Sequence, residues 1–177
     1  MRPQKIRLEA RADPKKSSSR SLAAADAPAI NFGPLGERLG YVLRRAQVAV
    51  FQDFDAIFGA VDIRPVQYSV LTIIEGNPGL SQTRVSDALG IKKTNFVAML
   101  DALEKRHLVG RAPTPGDRRT YALFLTADGK TLMRKLHKLA SQHEQRIIAR
   151  VGTDAHQRLF IQCKALASLG KRRLPEL

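Results

Sequence analysis

Four consecutive residues, Lys92, Lys93, Thr94 and Asn95, set two cations, a hydroxyl and an amide side by side. Asn and Thr can hydrogen-bond the edges of bases, and Lys can reach guanine or a phosphate. Farther along, Asp117, Arg118 and Arg119 follow Pro115 and Gly116. Paired arginines on an exposed hairpin tip can enter a narrow, electronegative minor groove. An aspartate beside them is out of place as a phosphate contact. It fits as the acceptor that holds a guanidinium in position. Both groups also have a plainer reading. Thr94 and Asn95 could simply cap a helix, and Asp-Arg-Arg could be a charged turn. The elements around them decide.

Those elements can be read from apolar spacing. Leu39, Val42, Leu43, Ala46, Val50, Phe54, Ile57 and Phe58 recur at steps of three and four, which predicts a long helix over about 36–59. Asp62, Ile63 and Arg64 connect it to a second helix that starts at Pro65 and carries Val66, Val70, Leu71 and Ile74. Gly76, Asn77, Pro78 and Gly79 stop that helix. Ser81 caps a short helix to about Leu89, Gly90 makes a turn, and a further helix runs from about Lys92 or Lys93 to Arg106. Val85, Ala88, Leu89 and Ile91 pack this pair together. Phe96, Met99, Leu100 and Leu103 give the second helix a core face, leaving Lys92–Asn95, Val97 and Ala98 opposite. Leu108–Arg111 and Thr120–Leu125 read as strands, joined by a loop with Pro113, Pro115 and Gly116. Thr126 caps a long helix to about Arg150, and after Gly152 a last helix reaches about Leu169.

A helix pair with a glycine turn followed by a hairpin is a helix-turn-helix with a wing. The expected fold is therefore mainly α, a winged helix-turn-helix with a two-stranded wing and N- and C-terminal dimerisation helices. With Ser81 and Gln82 at the start of the first helix of the pair, the candidate DNA contacts are Lys92, Lys93, Thr94, Asn95, Ala98, Asp117, Arg118 and Arg119. Small and polar residues on that face could enter a major groove about 12 Å wide.

Composition agrees. Among 177 residues, 30 Lys and Arg stand against 16 Asp and Glu, a net charge of +14 that favours a polyanionic partner. Residues 1–33 read as a basic, disordered tail with seven Lys and Arg against Glu9, Asp13 and Asp26, so 7 − 3 leaves it +4. The body, 34–177, keeps the other +10, with a DNA-binding lobe over about 65–126 and dimerisation helices over about 36–59 and 127–172. No apolar run reaches the ~20 residues of a membrane span, and no apolar stretch follows the basic N-terminus as in a signal peptide. One cysteine, Cys163, allows no internal disulfide, which fits a cytoplasmic protein.

The segment LGIKKTNFVAMLDALEKRHLVGR from Leu89, followed by PTPGDRRTYALFLTADGK, resembles the MarR family of multiple antibiotic resistance regulators. Its most specific marks are Asp117 and Arg119 in the wing and Leu125-Thr126 at the strand-to-helix junction. The resemblance covers about residues 36–172. It implies a dimer with interleaved terminal helices, a pseudo-palindromic operator that is usually repressed, and release by a small ligand. It implies a cleft for an aromatic or phenolic acid, for which Tyr41, Arg44, Arg45, Phe51, Tyr68 and His137 are candidates here. An acyl-CoA thioester of such an acid would suit the basic surplus. Plain core is the commoner reading of Tyr41, Phe51 and Tyr68. His107 stands where the family usually has Gly, and Ala98 and Ala102 replace positions that are often polar or basic.

Specific affinity usually needs two half-sites about 34–36 Å apart on one duplex face. Leu159, Phe160, Cys163, Leu166 and Leu169 offer a stripe through which two copies could pair. That stripe predicts a buried, inert Cys163 thiol. His107, His137, His143 and His156 show no metal-ligand spacing, and no catalytic triad or phosphate loop stands out. No enzyme, metal or cofactor is expected. The alternatives are a non-specific architectural DNA-binding protein without an effector and a basic protein of the membrane surface. Steep salt dependence without sequence preference would mark the former.

Overall fold

The computed structural model describes residues 30–114 and 117–169, and at 114 and 117–120 the backbone alone. The chain divides into two units, Met1–Tyr41 and Val42–Leu177. In the first, a 3-10 turn at Gly33–Glu37 opens with the Gly33 N–H donated to Asn31 Oδ1 at 2.8 Å. The Phe32 and Tyr41 rings lie 5.9 Å apart.

Helix α1 spans Leu39–Phe58, α2 Pro65–Gly76, α3 Gln82–Ala88 and α4 Lys93–Lys105. Strands β1 (Val109–Thr114) and β2 (Asp117–Leu125) pair antiparallel, and α5 (Ala127–Val151) and α6 (Thr153–Ala167) follow. Each start has a local reason. Pro65 opens α2, and the Arg64 N–H is taken by Gln67 Oε1 at 2.9 Å. Ser81 Oγ accepts the Arg84 N–H at 3.3 Å, and Thr126 Oγ1 accepts the Gly129 N–H at 3.0 Å. Gly90 turns the chain between α3 and α4 at φ +62°, and the Ile91 N–H closes on the Ser86 carbonyl at 2.9 Å.

The core of the larger unit draws on every layer of it except α6. Phe54 and Phe58 stack at 3.7 Å and meet the Tyr68 ring at 6.0 and 5.5 Å. Val70, Leu71 and Ile74 of α2, Val85 of α3, and Phe96, Leu100 and Leu103 of α4 close over Leu123 of β2 and Met133 and Leu136 of α5. Each such side chain contributes roughly 1.5–3 kcal/mol through burial. The winged helix-turn-helix is present as expected.

Several boundaries differ from the sequence reading. A 3-10 turn precedes α1, and α6 ends at Ala167 rather than Leu169. Both strands are longer than expected, with Pro113 inside β1 rather than in the loop. The register shifts between Pro113 and Thr114, where a residue without an N–H is tolerated. Residues 79–81 act as a short third strand: Gly79 N–H donates to the Leu123 carbonyl at 2.8 Å, Leu123 N–H to the Leu80 carbonyl at 3.0 Å, and Ser81 bridges Ala122. Cys163 is exposed in the chain, not buried, because α6 buries none of its residues.

Helix α4 ends on a residue in the left-handed region, His107 at φ +55°. His107 N–H donates to the Glu104 carbonyl at 2.8 Å and Leu108 N–H to that of Leu103 at 3.0 Å, the paired bonds of a Schellman cap. Glycine occupies such a position without the Cβ penalty. The His107 side chain is exposed and forfeits little packing. His107→Gly is therefore expected to stabilise the fold by about 1 kcal/mol. Urea unfolding checks this, and an unchanged or lower midpoint would contradict it.

A second contact ties α1 to α5. His143, buried, pairs through Nδ1 with Asp53 Oδ2 at 2.8 Å, while Arg146 donates from Nε and Nη2 to Asp53 Oδ1 at 2.8 and 2.7 Å. The His143 hydrogen bond, with help from Arg146 and against partial burial, holds the Asp53 carboxyl below its usual range. A carboxylate with a depressed folded pKa contributes stability above its unfolded value, about 3.9, and loses it as pH falls through the folded one. Urea midpoints should thus drop below about pH 4, and Asp53→Asn should flatten that acid slope. An identical slope in the variant would exclude the Asp53 contact as its source.

Candidate nucleic-acid interface

The α3–turn–α4 unit and the hairpin place the candidate contacts. Phe96, Leu100 and Leu103 are buried on one face of α4, so its opposite face is held outward by the core. Lys92, Lys93, Thr94, Asn95, Val97 and Ala98 are all exposed there. Lys92 is the N-cap residue and makes no side-chain cap bond. Thr94 and Asn95 lie one and two residues inside the helix. Capping, their plainer reading, is not how this helix begins. The start of α4 thus combines two ammonium groups with the positive end of the helix dipole, which favours a phosphate, and two hydrogen-bonding side chains, which can read bases.

Ser81 and Gln82 sit half-buried at the start of α3. Ser81 serves the fold, through its Arg84 cap and its bridge to Ala122. Arg84, exposed on α3, adds a cation to this side that the sequence reading did not select. Asp117, Arg118 and Arg119 open strand β2, so the backbone carries them at the hairpin's far end; their side chains lie outside the described residues.

Two residues that position this surface were also not selected from sequence. Arg111 of β1 reaches back to α4, pairing with Asp101 and, through Nε, with Glu104 at 3.2 Å. It locks the wing strand to the helix whose N-terminal end presents Lys93 and Asn95. Sequence alone does not pair Arg111 with these partners, which lie in an adjacent element, Asp101 ten residues back. Arg106 closes the other end of α4, donating to the carbonyls of Asp62 and Val61 at 2.6 and 3.0 Å.

The effector candidates are dispersed. Arg44, Arg45 and Phe51 are exposed along α1, and Tyr68 is half-buried against Phe54 and Phe58. Tyr41 belongs to the first unit. His137 of α5 is bound through Nε2 to Glu75 of α2 at 2.7 Å. It lines a depression of about 580 Å³ with Thr131, Arg134, Lys135 and Lys138. A second, of about 320 Å³, is lined by Ile74, Glu75, Pro78, Phe124, Leu125, Lys130 and Arg134. Among the described residues, no group of three His, Cys, Asp or Glu could hold a metal ion. No single described helix is long and apolar enough to cross a membrane.

Comparison with known proteins places this geometry. A MarR family model matches residues 61–120. The putative transcriptional regulatory protein for the hcr operon of Thauera aromatica is 30% identical over 140 residues, 78% of this chain and 84% of that protein. The transcriptional repressor CouR, solved bound to a 23-mer DNA duplex, is 42% identical with a TM-score of 0.75, over 78% of this chain and 99% of that one. CouR solved bound to p-coumaroyl-CoA is 40% identical with a TM-score of 0.74, over 78% of this chain and 98% of that one.

Proposed function

The chain belongs to the MarR family, and we propose that it is a sequence-specific DNA-binding repressor of a catabolic or efflux operon. It acts in the cytoplasm as a homodimer on a pseudo-palindromic operator and leaves it when a small aromatic acid, or the CoA thioester of one, binds. The observation that carries this reading is the face of α4 from Lys92 to Ala98, exposed at the head of a wing. Its likeness to CouR, a repressor solved on duplex DNA, supports it.

Base reading falls to Thr94 and Asn95, with Ala98 leaving room for the groove floor. Lys92, Lys93, Ser81 and Gln82 hold the backbone, and Arg118 and Arg119, oriented by Asp117, enter the flanking minor groove. Phosphate contacts set affinity and register, while the base contacts choose the site. The homodimer reading is supported by Leu159, Phe160 and Ile161 of α6, which are 50%, 56% and 61% exposed in one chain. Large apolar side chains left this exposed, on a helix that buries none of its residues, suit an interface. For the effector, Arg44, Arg45, Phe51, Tyr68 and His137 of the larger unit remain the candidates. Their types, guanidinium and aromatic ring, suit an aromatic anion.

A gel-shift on the DNA upstream of the coding sequence tests the reading. Aromatic acids and their CoA thioesters are added in turn to the complex formed in the presence of scrambled competitor. A shift reversed by one compound is expected. A shift removed equally by scrambled DNA and indifferent to every compound would favour an architectural binder without an effector.

A further inference from the structure

The first three turns of α5 carry an excess of cations that the DNA-reading surface does not use. From Ala127 to Lys138 the sequence holds four Lys and Arg (Lys130, Arg134, Lys135 and Lys138) against one acid, Asp128. At 100° per residue, with His137 they span an arc of roughly 160°, opposite Met133 and Leu136, which are buried. All four cations are exposed. Arg134 donates to Thr131 Oγ1 at 3.0 Å, and no ion pair among the described residues neutralises any of the four. Leaving four like charges on so short a stretch costs stability through mutual repulsion. A bound polyanion would relieve it.

The ridge also borders concave surface. Arg134 is shared by the two depressions, and the second has a floor of Ile74, Pro78, Phe124 and Leu125. Phe124 is 38% exposed there, on the outer side of β2. Glu75, the one acid on this wall, is engaged by His137 Nε2 at 2.7 Å. Flat ring surface beside a row of cations suits an aromatic base attached to phosphates. The rings stack on Phe and Pro, and the phosphates take Lys and Arg.

We propose that the α2–β2–α5 groove binds the nucleotide end of a CoA thioester, with phosphates on Lys130, Arg134, Lys135 and Lys138 and the adenine over Pro78 and Phe124. This rests on the reading that the effector is an acyl-CoA. It assigns the phosphates to residues none of which lies on α4 or the wing. His137, lining the first depression, marks the side from which the acyl arm would leave.

Calorimetric titration of the full chain tests this with p-coumaroyl-CoA and with the pantetheine thioester of the same acid, which lacks the nucleotide. The wild-type protein should prefer the CoA thioester by roughly tenfold or more. The variant carrying Lys135→Glu and Lys138→Glu should lose that preference while binding the pantetheine thioester as before. The milder Lys135→Ala and Lys138→Ala pair should lose part of it, and thermal melting checks that both variants fold. Equal loss for both thioesters, or no loss for either, would overturn the groove assignment while leaving a thioester-responsive repressor intact. Wild-type protein that binds neither thioester would overturn the acyl-CoA reading and the groove together.

Discussion

Gly129→Ala is expected to destabilise the chain by about 3 kcal/mol, near the upper end for overpacking, and to abolish DNA binding in whatever fraction remains folded. A Cβ on Gly129 would sit 2.1 Å from the Leu108 carbonyl oxygen and 3.0 Å from its carbon. The obstacle is backbone, so no rotamer change clears it. That backbone is fixed from both sides. Thr126 N–H donates to the Leu108 carbonyl at 3.1 Å, Thr126 Oγ1 to that of His107, and Leu108 closes the α4 cap through Leu103. The start of α5, the end of α4 and the root of the wing are one joint, with Gly129 at its tightest point. A shift there moves the wing root against α4. With native stabilities of about 5–15 kcal/mol, the loss should be plain in urea unfolding. A wild-type midpoint would show that the joint is looser than its geometry implies.

Arg119→Ala is expected to weaken operator binding by about 2 kcal/mol or more, roughly thirtyfold, with the fold unchanged. In a dimer the loss is felt at both wings. Asn95→Ala should behave differently, relaxing base preference at one position per half-site. Fluorescence anisotropy on operator and single-base variants separates the two effects. If Arg119→Ala binds as tightly as the parent, the wing does not hold the DNA. If Asn95→Ala keeps its preferences, Asn95 is not a reader.

The helices were legible because their apolar faces repeat every three or four residues, and Ser81 and Thr126 cap as their types suggest. The exposed face of α4 was legible for the same reason, since Phe96, Leu100 and Leu103 fix which side is inside. The strands were read short because Pro113 and Pro115 look like loop, whereas Pro113 occupies the last regular pair of the ladder, opposite Tyr121. Residues 79–81 carry no strand pattern, as their pairing depends on where β2 passes. Nothing local to Gly129 sets it apart, because its meaning lies in a carbonyl twenty-one residues earlier. The cations of α5 were countable in the sequence, but their groove needs Ile74 and Phe124 from two other elements. Cys163 was misplaced because an apolar stripe signals burial without saying whether the covering surface belongs to the same chain.

We propose that two copies of this chain read two half-sites through α4. Hydroxyl-radical footprinting of the protein on the DNA upstream of its coding sequence tests it directly. Two protected patches are expected on one face of the duplex, centred about 10–10.5 base pairs apart or a multiple of that, over an inverted repeat. Even protection along the fragment, with no repeat beneath it, would contradict the claim and leave a basic protein that coats DNA without reading it.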